Sequence, residues 1–188
     1  MIELAHGAEP EELTKYRTTT QNPDWEDQAF KPIRQIVRRR LNKEQSGLCI
    51  YCEDKLESDN GHVEHIKAKS RNIDLTFTYQ NLAHSCDGPR HCGHHKKRQV
   101  LPIEPIDGSN KLFSLSAIDG RFSATYDSTQ QQKNDVDETV RILGLNNPAL
   151  SWLRKGYVDT LLALKPEEVG DFLQTSPFRW SLERVDFV

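Results

Sequence analysis

The sequence predicts an α+β fold with a small sheet content, in which a metal site holds the central part of the chain together. Three observations predict it. An amphipathic helical pattern precedes a segment rich in Cys and His, that segment carries two pairs of cysteines, and the following half of the chain reads as a hairpin and then helices. Only 36% of the 188 residues are hydrophobic, so the hydrophobic core is expected to be small, and a bound metal would add stability to it.

The N-terminal part predicts one long helix after a polar arm. Residues 1–30 are expected to be irregular, with one short helix near Glu11–Tyr16. Residues 31–47 predict a helix, since Pro32 suits its first turn and Gly47 suits the position after its end. The apolar residues of this segment recur at the spacing of one helix face: Ile33, Ile36, Val37 and Leu41.

The C-terminal half predicts a hairpin followed by helices. Residues 112–126 form two alternating segments around Asp119-Gly120, which is a strong hairpin signal. A helical pattern begins at Asp135 and is interrupted by Gly144, and a second helix is predicted from the cap Asn147-Pro148. A further short helix is predicted after residue 165. We therefore divide the chain into segments 1–48, 49–100 and 101–188.

The four cysteines form two pairs. Cys49 and Cys52 are separated by two residues, whereas five residues separate Cys86 from Cys92. Two such pairs predict a structural zinc site, although the second spacer is longer than usual, and His91 could replace Cys92 as the fourth ligand. Free thiols in the core are the alternative, but flanking glycines and charged residues do not suit a core. A redox role is weaker, because no βαβ pattern surrounds the first pair.

Charge is distributed unevenly along the chain. The net charge is −3, but residues 31–100 hold 14 Lys and Arg against 8 Asp and Glu, together with six of the seven histidines. This asymmetry predicts a local phosphate-binding surface on an acidic body, and a solvated helix face is the alternative. We find neither an apolar run of 18 residues nor a signal-peptide pattern at the N-terminus, so we expect a cytoplasmic protein without a membrane span.

Five polar residues surround the cysteine pairs in an order that suits phosphodiester hydrolysis. Glu64 and His65 lie between the pairs with Asn81, and His94 and His95 follow the second pair. A histidine can deprotonate water near neutral pH, and a divalent ion can neutralise the phosphate and the leaving oxygen. An adjacent carboxylate, an amide and further imidazoles could hold that ion or the base in place.

This order of Cys-x2-Cys, Glu-His-Ile, Asn-Leu, Cys…Cys and His resembles the HNH endonuclease family. The resemblance implies two antiparallel strands and a helix around one catalytic Mg²⁺ or Mn²⁺ ion, the ββα-metal core. It implies that His65 is the general base and that Asn81 orients it by bracing the loop between the strands. Glu64 would be a catalytic metal ligand where many members have Asp, and His94 or His95 would be the metal-binding residue on the helix.

The chain departs from this motif at the helix. Many members place the metal-binding histidine directly after the last cysteine, where this chain has Gly93. The choice between His91, His94 and His95 therefore stays open. His62 and His84 are most simply solvent-facing or capping residues. His62 is the better metal candidate of the two, because an extended segment would place it on the same strand face as Glu64.

The wider chain resembles one branch of the family, the nuclease subunits (PtuB) of Septu anti-phage systems, which also occur beside some retrons. The stretches that carry the resemblance are GAEPEELTKYR, SGLCIYC, EHI, CDG…HC and NNPALSWLRK. It implies that the chain acts in antiviral defence with an ATPase subunit as its partner, and that the C-terminal helices dock onto that partner.

Basic residues near the predicted site are candidates for phosphate contacts. We predict that nucleic acid is bound by Lys67, Lys96, Lys97 and Arg98. The arginines of the predicted helix could equally be a solvated face: Arg34, Arg38 and Arg39. The predicted function is metal-dependent cleavage of nucleic acid, with DNA favoured. Two alternatives stay open, a nuclease toxin that targets RNA such as transfer RNA, and a non-catalytic zinc module that binds nucleic acid or a partner.

Overall fold

The computed structural model describes residues 1–186 and confirms the α+β class. The α-helices are α1 (Glu11–Thr19), α2 (Lys31–Glu44), α3 (Cys92–Lys96), α4 (Gln130–Leu143), α5 (Pro148–Ala163), α6 (Pro166–Thr175) and α7 (Arg179–Leu182). The strands are β1 (His62–His65), β2 (Leu82–Ser85), β3 (Phe113–Ser116), β4 (Phe122–Ala124) and β5 (Val185–Asp186). In the part of the chain that is described, no helix has the length and apolar character needed to cross a bilayer.

Helix α2 forms where the apolar periodicity predicts it. Pro32 lies in its first turn, and Val37 and Leu41 are buried against the strands. Gly47 follows the helix with a φ of 72°, a conformation that glycine adopts without steric cost. Ile36, which the periodicity places on the apolar face, is instead exposed at the edge of that face.

Strands β1 and β2 pair in antiparallel fashion and are followed by the short helix α3. His62 lies opposite Ser85, and His65 lies opposite Leu82. The order of two strands and a helix brings β1 close to the start of α3, so that residues 62–65 and 92–96 share one region of the molecule. This region holds the residues that the sequence predicts to be functional.

The second sheet combines a predicted and an unexpected part. The predicted hairpin is present as β3 and β4, which pair in antiparallel fashion. Strand β5 from the end of the described chain joins β3 in parallel, which no sequence signal indicated. Helix α4 begins at a Thr129 capping box, earlier than predicted, and ends at Gly144 in the left-handed conformation. Helix α5 begins at the predicted cap, where Asn147 accepts a hydrogen bond from the Ala149 amide.

The cysteine-rich segment is packed into the core. One buried cluster joins the residues around Cys49 and Cys52 to the N-terminal residues Met1 and Ile2 and to side chains of the C-terminal helices. A second cluster joins α1 and α2 to β1 and β2. Arg154 anchors the C-terminal part, because its buried guanidinium donates to the carbonyl oxygens of Gly120 and Leu145. Residues from all three predicted segments therefore share one core.

Candidate active site

The four cysteine sulfurs converge as a tetrahedral ion requires. The Sγ atoms of Cys49 and Cys92 lie 3.7 Å apart, and those of Cys52 and Cys86 lie 3.9 Å apart. All four sulfurs lie within 4.8 Å of one another. Sulfurs at the corners of a tetrahedron, each about 2.3 Å from zinc, would be about 3.8 Å apart. The geometry therefore fits a structural zinc ion with four thiolate ligands.

His91 lies beside this cluster. Its Nδ1 atom is 3.2 Å from Cys92 Sγ and 3.7 Å from Cys86 Sγ. Hydrogen bonds from the neighbouring thiols of Cys49, Cys52 and Cys92 hold the pKa of Cys86 well below its usual range. A lowered pKa favours the thiolate, which is the form that binds metals. The fourth corner is already filled by Cys92, so His91 is positioned to hydrogen bond a ligand sulfur.

Glu64 is a buried carboxylate with three hydrogen-bonding neighbours. Lys96 Nζ lies 2.6 Å and Tyr51 Oη lies 3.2 Å from its Oε1 atom, and His62 Nε2 lies 3.4 Å from its Oε2 atom. Burial alone would raise the pKa of this carboxyl. The hydrogen bonds and charges of His62 and Lys96 outweigh that effect and lower the pKa, so Glu64 is ionised at neutral pH.

His65 is buried and held in one tautomer. Its Nε2 atom lies 3.0 Å from the carbonyl oxygen of Thr76, and since a carbonyl only accepts, Nε2 carries the proton. Burial lowers the pKa of His65, which favours the neutral ring. The Nδ1 atom of that ring is then unprotonated and able to accept a proton. Trp25 packs edge-on against the imidazole, with ring centroids 4.4 Å apart.

Asn81 ties the loop after β1 to the start of β2. Its Oδ1 atom accepts from the Lys67 amide at 2.8 Å, and its Nδ2 atom donates to the carbonyl oxygens of Lys67 at 3.0 Å and Leu75 at 3.2 Å. The Asn81 carbonyl also accepts from the Ile66 amide. These four bonds connect both ends of the segment that contains Thr76, the hydrogen-bonding partner of His65.

A second group of potential metal ligands lies next to Glu64. His62 Nδ1 lies 2.8 Å, and His94 Nε2 lies 3.1 Å, from Asp87 Oδ1, and the three side chains offer ligand atoms within 4.8 Å of one another. Their side chains are 27%, 50% and 59% exposed for His62, His94 and Asp87. Asp87 was not predicted, and the signal for His62 was its position two residues before Glu64 on an extended strand.

The structure separates His94 from His95. His95 points toward α4, where its Nδ1 atom lies 2.9 Å from the carbonyl oxygen of Ile142. Position 93, where many family members have the metal-binding histidine, is a glycine, and side chains from β1 lie close to it. A Cβ atom on Gly93 would lie 2.6 Å from Glu64 Oε2 and 2.7 Å from His62 Nε2. The His62 ring thus occupies the space that a side chain at position 93 would need.

The predicted phosphate contacts fall into two groups. Lys67, Lys97 and Arg98 are exposed. Lys96 must be corrected, because its ammonium is fully buried and donates to Glu64 and to the His65 carbonyl oxygen at 2.9 Å. A buried ammonium cannot contact a phosphate at the surface, and it supports the Glu64 carboxylate instead. Arg38 is also engaged, since it donates to the carbonyl oxygens of Ser58 and Gly61.

Comparison with known proteins finds a relative that aligns over nearly the whole chain. The chain is 35% identical over 206 residues to a protein of Vibrio cholerae serotype O1 biovar El Tor named "Retron Vc95 putative HNH endonuclease". The alignment covers 98% of the chain and 99% of that relative. No protein-family profile matches the chain.

Proposed function

Since the chain belongs to the HNH endonuclease family, whose members hydrolyse phosphodiester bonds, we propose that it cuts nucleic acid with His65 as the general base. The observation that carries this proposal is the state of the His65 ring. The Thr76 carbonyl holds the proton on Nε2, and burial keeps the ring neutral. An imidazole in that state can take a proton from water through Nδ1 near neutral pH.

Asn81 and Lys96 are proposed as positioning residues. Asn81 braces the loop that carries Thr76, and this fixes the orientation of the base. Lys96 holds the Glu64 carboxylate and the His65 backbone with one ammonium group, so it keeps the two neighbouring residues of β1 in register. Neither side chain needs to touch the substrate in this scheme.

The donor atoms around Glu64 fit a catalytic divalent ion, Mg²⁺ or Mn²⁺. His62, Asp87 and His94 would hold it, because their ligand atoms lie within 4.8 Å of one another and because carboxylate oxygens and imidazole nitrogens are suitable ligands. Glu64, the ligand predicted from the sequence, lies beside this set, with its Oε2 atom 3.4 Å from His62 Nε2, and Gly93 leaves room for the His62 ring. When bound, such an ion supplies positive charge to the phosphate and to the leaving oxygen. His95 is outside this set, because its ring is engaged with α4.

The proposed substrate is DNA, with RNA as the alternative. Both backbones can be attacked by an activated water, and the contacts proposed for Lys67, Lys97 and Arg98 are to phosphates, which DNA and RNA share. The name of the relative places that protein with a retron. Together with the resemblance to Septu subunits, it supports our proposal that this chain is the nuclease of an anti-phage system that acts with an ATPase subunit.

The test is cleavage of plasmid DNA and of total RNA in Mg²⁺ or Mn²⁺, with and without the ATPase subunit. His65→Ala should lower the rate by about two to four orders of magnitude, because a positioned general base is lost. His95→Ala, a histidine of the same region outside the ligand set, should cleave like the native chain.

Zinc content and thermal unfolding of both variants show whether the fold is retained. Undiminished cleavage by a folded His65→Ala variant would refute the proposed base. A native chain that binds nucleic acid but cuts neither DNA nor RNA under any of these conditions would instead be the non-catalytic zinc module.

A further inference from the structure

A cavity of about 520 Å³ opens beside His65, on the side of the ring where Nε2 lies. Its walls are mostly apolar, and its size falls in the range of small-ligand sites. The residues that line it include Pro23, Trp25, Lys69, Ile73, Thr76 and Phe77. None of these residues has a role in the hydrolysis proposed above, except that the Thr76 backbone holds the base.

The cavity shares two of its walls with the environment of His65. Trp25 packs on the imidazole with ring centroids 4.4 Å apart, and the Thr76 carbonyl accepts its Nε2 proton. A group bound in this cavity would therefore lie one side chain away from the base.

One large apolar side chain at the cavity is left uncovered. Ile73 is 76% exposed at the cavity edge. Trp25 and Phe77 also line the cavity. A planar heterocycle could pack against these apolar and aromatic side chains.

The cavity lies next to a groove lined by basic side chains. At the cavity itself, Lys69 is paired with Glu26 at 2.6 Å, its ammonium lies 5.9 Å from the Trp25 ring centroid, and Asp24 is also among the lining residues. On the other side of Trp25, a groove of about 330 Å³ is lined by Lys31, Arg34 and His62 among others. A polynucleotide backbone could follow this groove from the His62 cluster to the cavity, which favours a nucleobase over an apolar protein side chain as the occupant.

We propose that this cavity binds one nucleobase of the substrate strand next to the bond that is cut. The proposal rests on the nuclease function proposed above and deepens it. A base enters such a cavity only when it is unstacked from its neighbours, so the substrate at the site is single-stranded or locally opened. The groove would hold the sugar-phosphate backbone, and the cavity would hold the base.

The test compares two fluorescent 12-residue oligonucleotides, one of thymidines and one with the same backbone but no bases. Affinities are measured by anisotropy without added divalent ion, so that neither strand is cut. The native chain should bind the thymidine strand at least about fivefold more tightly. Ile73→Ala should lower this ratio toward one without weakening the abasic strand. Ile118→Ala is the matched control, because Ile118 is 77% exposed at the turn between β3 and β4.

The outcomes separate this proposal from the nuclease itself. A native chain that binds both strands equally, or binds neither, refutes the nucleobase site, as does an Ile73→Ala ratio equal to that of the native chain. Equal binding of the two strands, combined with weaker binding of the ATPase subunit by Ile73→Ala, would assign the cavity to a protein side chain. Cleavage assays on the same preparations report independently on the nuclease, because they depend on His65.

Discussion

The two candidate metal clusters lie close together in the sequence but differ in their surroundings. Three of the four cysteines are fully buried, and every sulfur has another sulfur for a neighbour. His62, Asp87 and His94 are all partly open to solvent. A closed set of four ligands suits an ion that holds the fold, whereas an open set leaves room for a substrate oxygen.

The segment from Cys86 to His94 joins these two environments. Asp87 directly follows Cys86, and His94 follows Cys92 after one residue. A zinc ion held by the cysteines would therefore fix the segment that carries two of the three side chains of the open cluster. The cysteine cluster can thus serve mainly as the support of the open cluster.

Loss of the closed cluster should have the largest effect. Cys49→Ser removes a zinc ligand, and structural zinc contributes about 10–16 kcal/mol in small zinc domains, as much as the whole stability of a typical domain. We expect a chain without zinc that is unfolded at room temperature, as measured by metal content and circular dichroism. His91→Ala should keep its zinc, and if His91→Ala loses zinc while Cys92→Ser retains it, the fourth ligand is His91.

Removal of the buried ammonium of Lys96 should have the next largest effect. Lys96→Met leaves the Glu64 carboxylate buried without its nearest cation, which costs about 3–5 kcal/mol of unfolding free energy. It should also raise the pKa of Glu64, since Lys96 helps to lower it. The adjacent and exposed Lys97→Met should change the stability by less than about 0.5 kcal/mol. Equal denaturation midpoints for the two variants would contradict the buried pairing.

Removal of one side chain from the cluster of His62, Asp87 and His94 should lower the affinity for the metal without affecting the fold. His62→Ala should weaken Mn²⁺ binding by at least about tenfold, because loss of even an indirect metal partner commonly costs that much. Calorimetric titration or Mn²⁺ electron paramagnetic resonance measures this, with zinc content and melting temperature unchanged. His95→Ala should bind Mn²⁺ like the native chain. An unchanged affinity in His62→Ala would move the ion away from this cluster.

The exposed basic side chains should have the smallest effect. Arg98→Ala should weaken binding to duplex DNA moderately and lower the slope of log affinity against log salt concentration by about 0.9, the value for one lost phosphate contact. Lys111→Ala, an exposed lysine just before β3, should leave the slope unchanged. The same slope for the native chain and Arg98→Ala would show that the backbone does not pass over this side of the site.

The elements that sequence reasoning found are those with local signals. Three such signals are the apolar spacing of α2, the Asp119-Gly120 turn and the Asn147 cap. Each involves only a few neighbouring residues, so it can be recognised in the sequence without knowledge of the fold. Strand β5 was missed because two residues carry no period, and its pairing with β3 bridges about 70 positions.

The order of the site residues along the chain could be recognised in the sequence, but the contacts between their side chains could not. The spacing of Glu64, His65 and Asn81 identified the family, yet nothing local distinguishes Lys96 from Lys97. Lys96 can be buried because its ammonium pairs with the carboxylate of Glu64, which lies 32 positions earlier in the chain. Asp87 was overlooked for a similar reason, because its two histidine partners come from separate elements.

The absence of a side chain at Gly93 has a consequence for how this site can evolve. A Cβ atom there would lie 2.6 Å from Glu64 Oε2 and 2.7 Å from His62 Nε2, so a residue larger than glycine requires the ends of both side chains to shift. A larger residue at position 93 should therefore be accompanied by changes at position 62 or 64 among relatives. A lineage that enlarges position 93 first would disturb the pairing of His62 with Glu64, and this coupling would favour retention of the glycine.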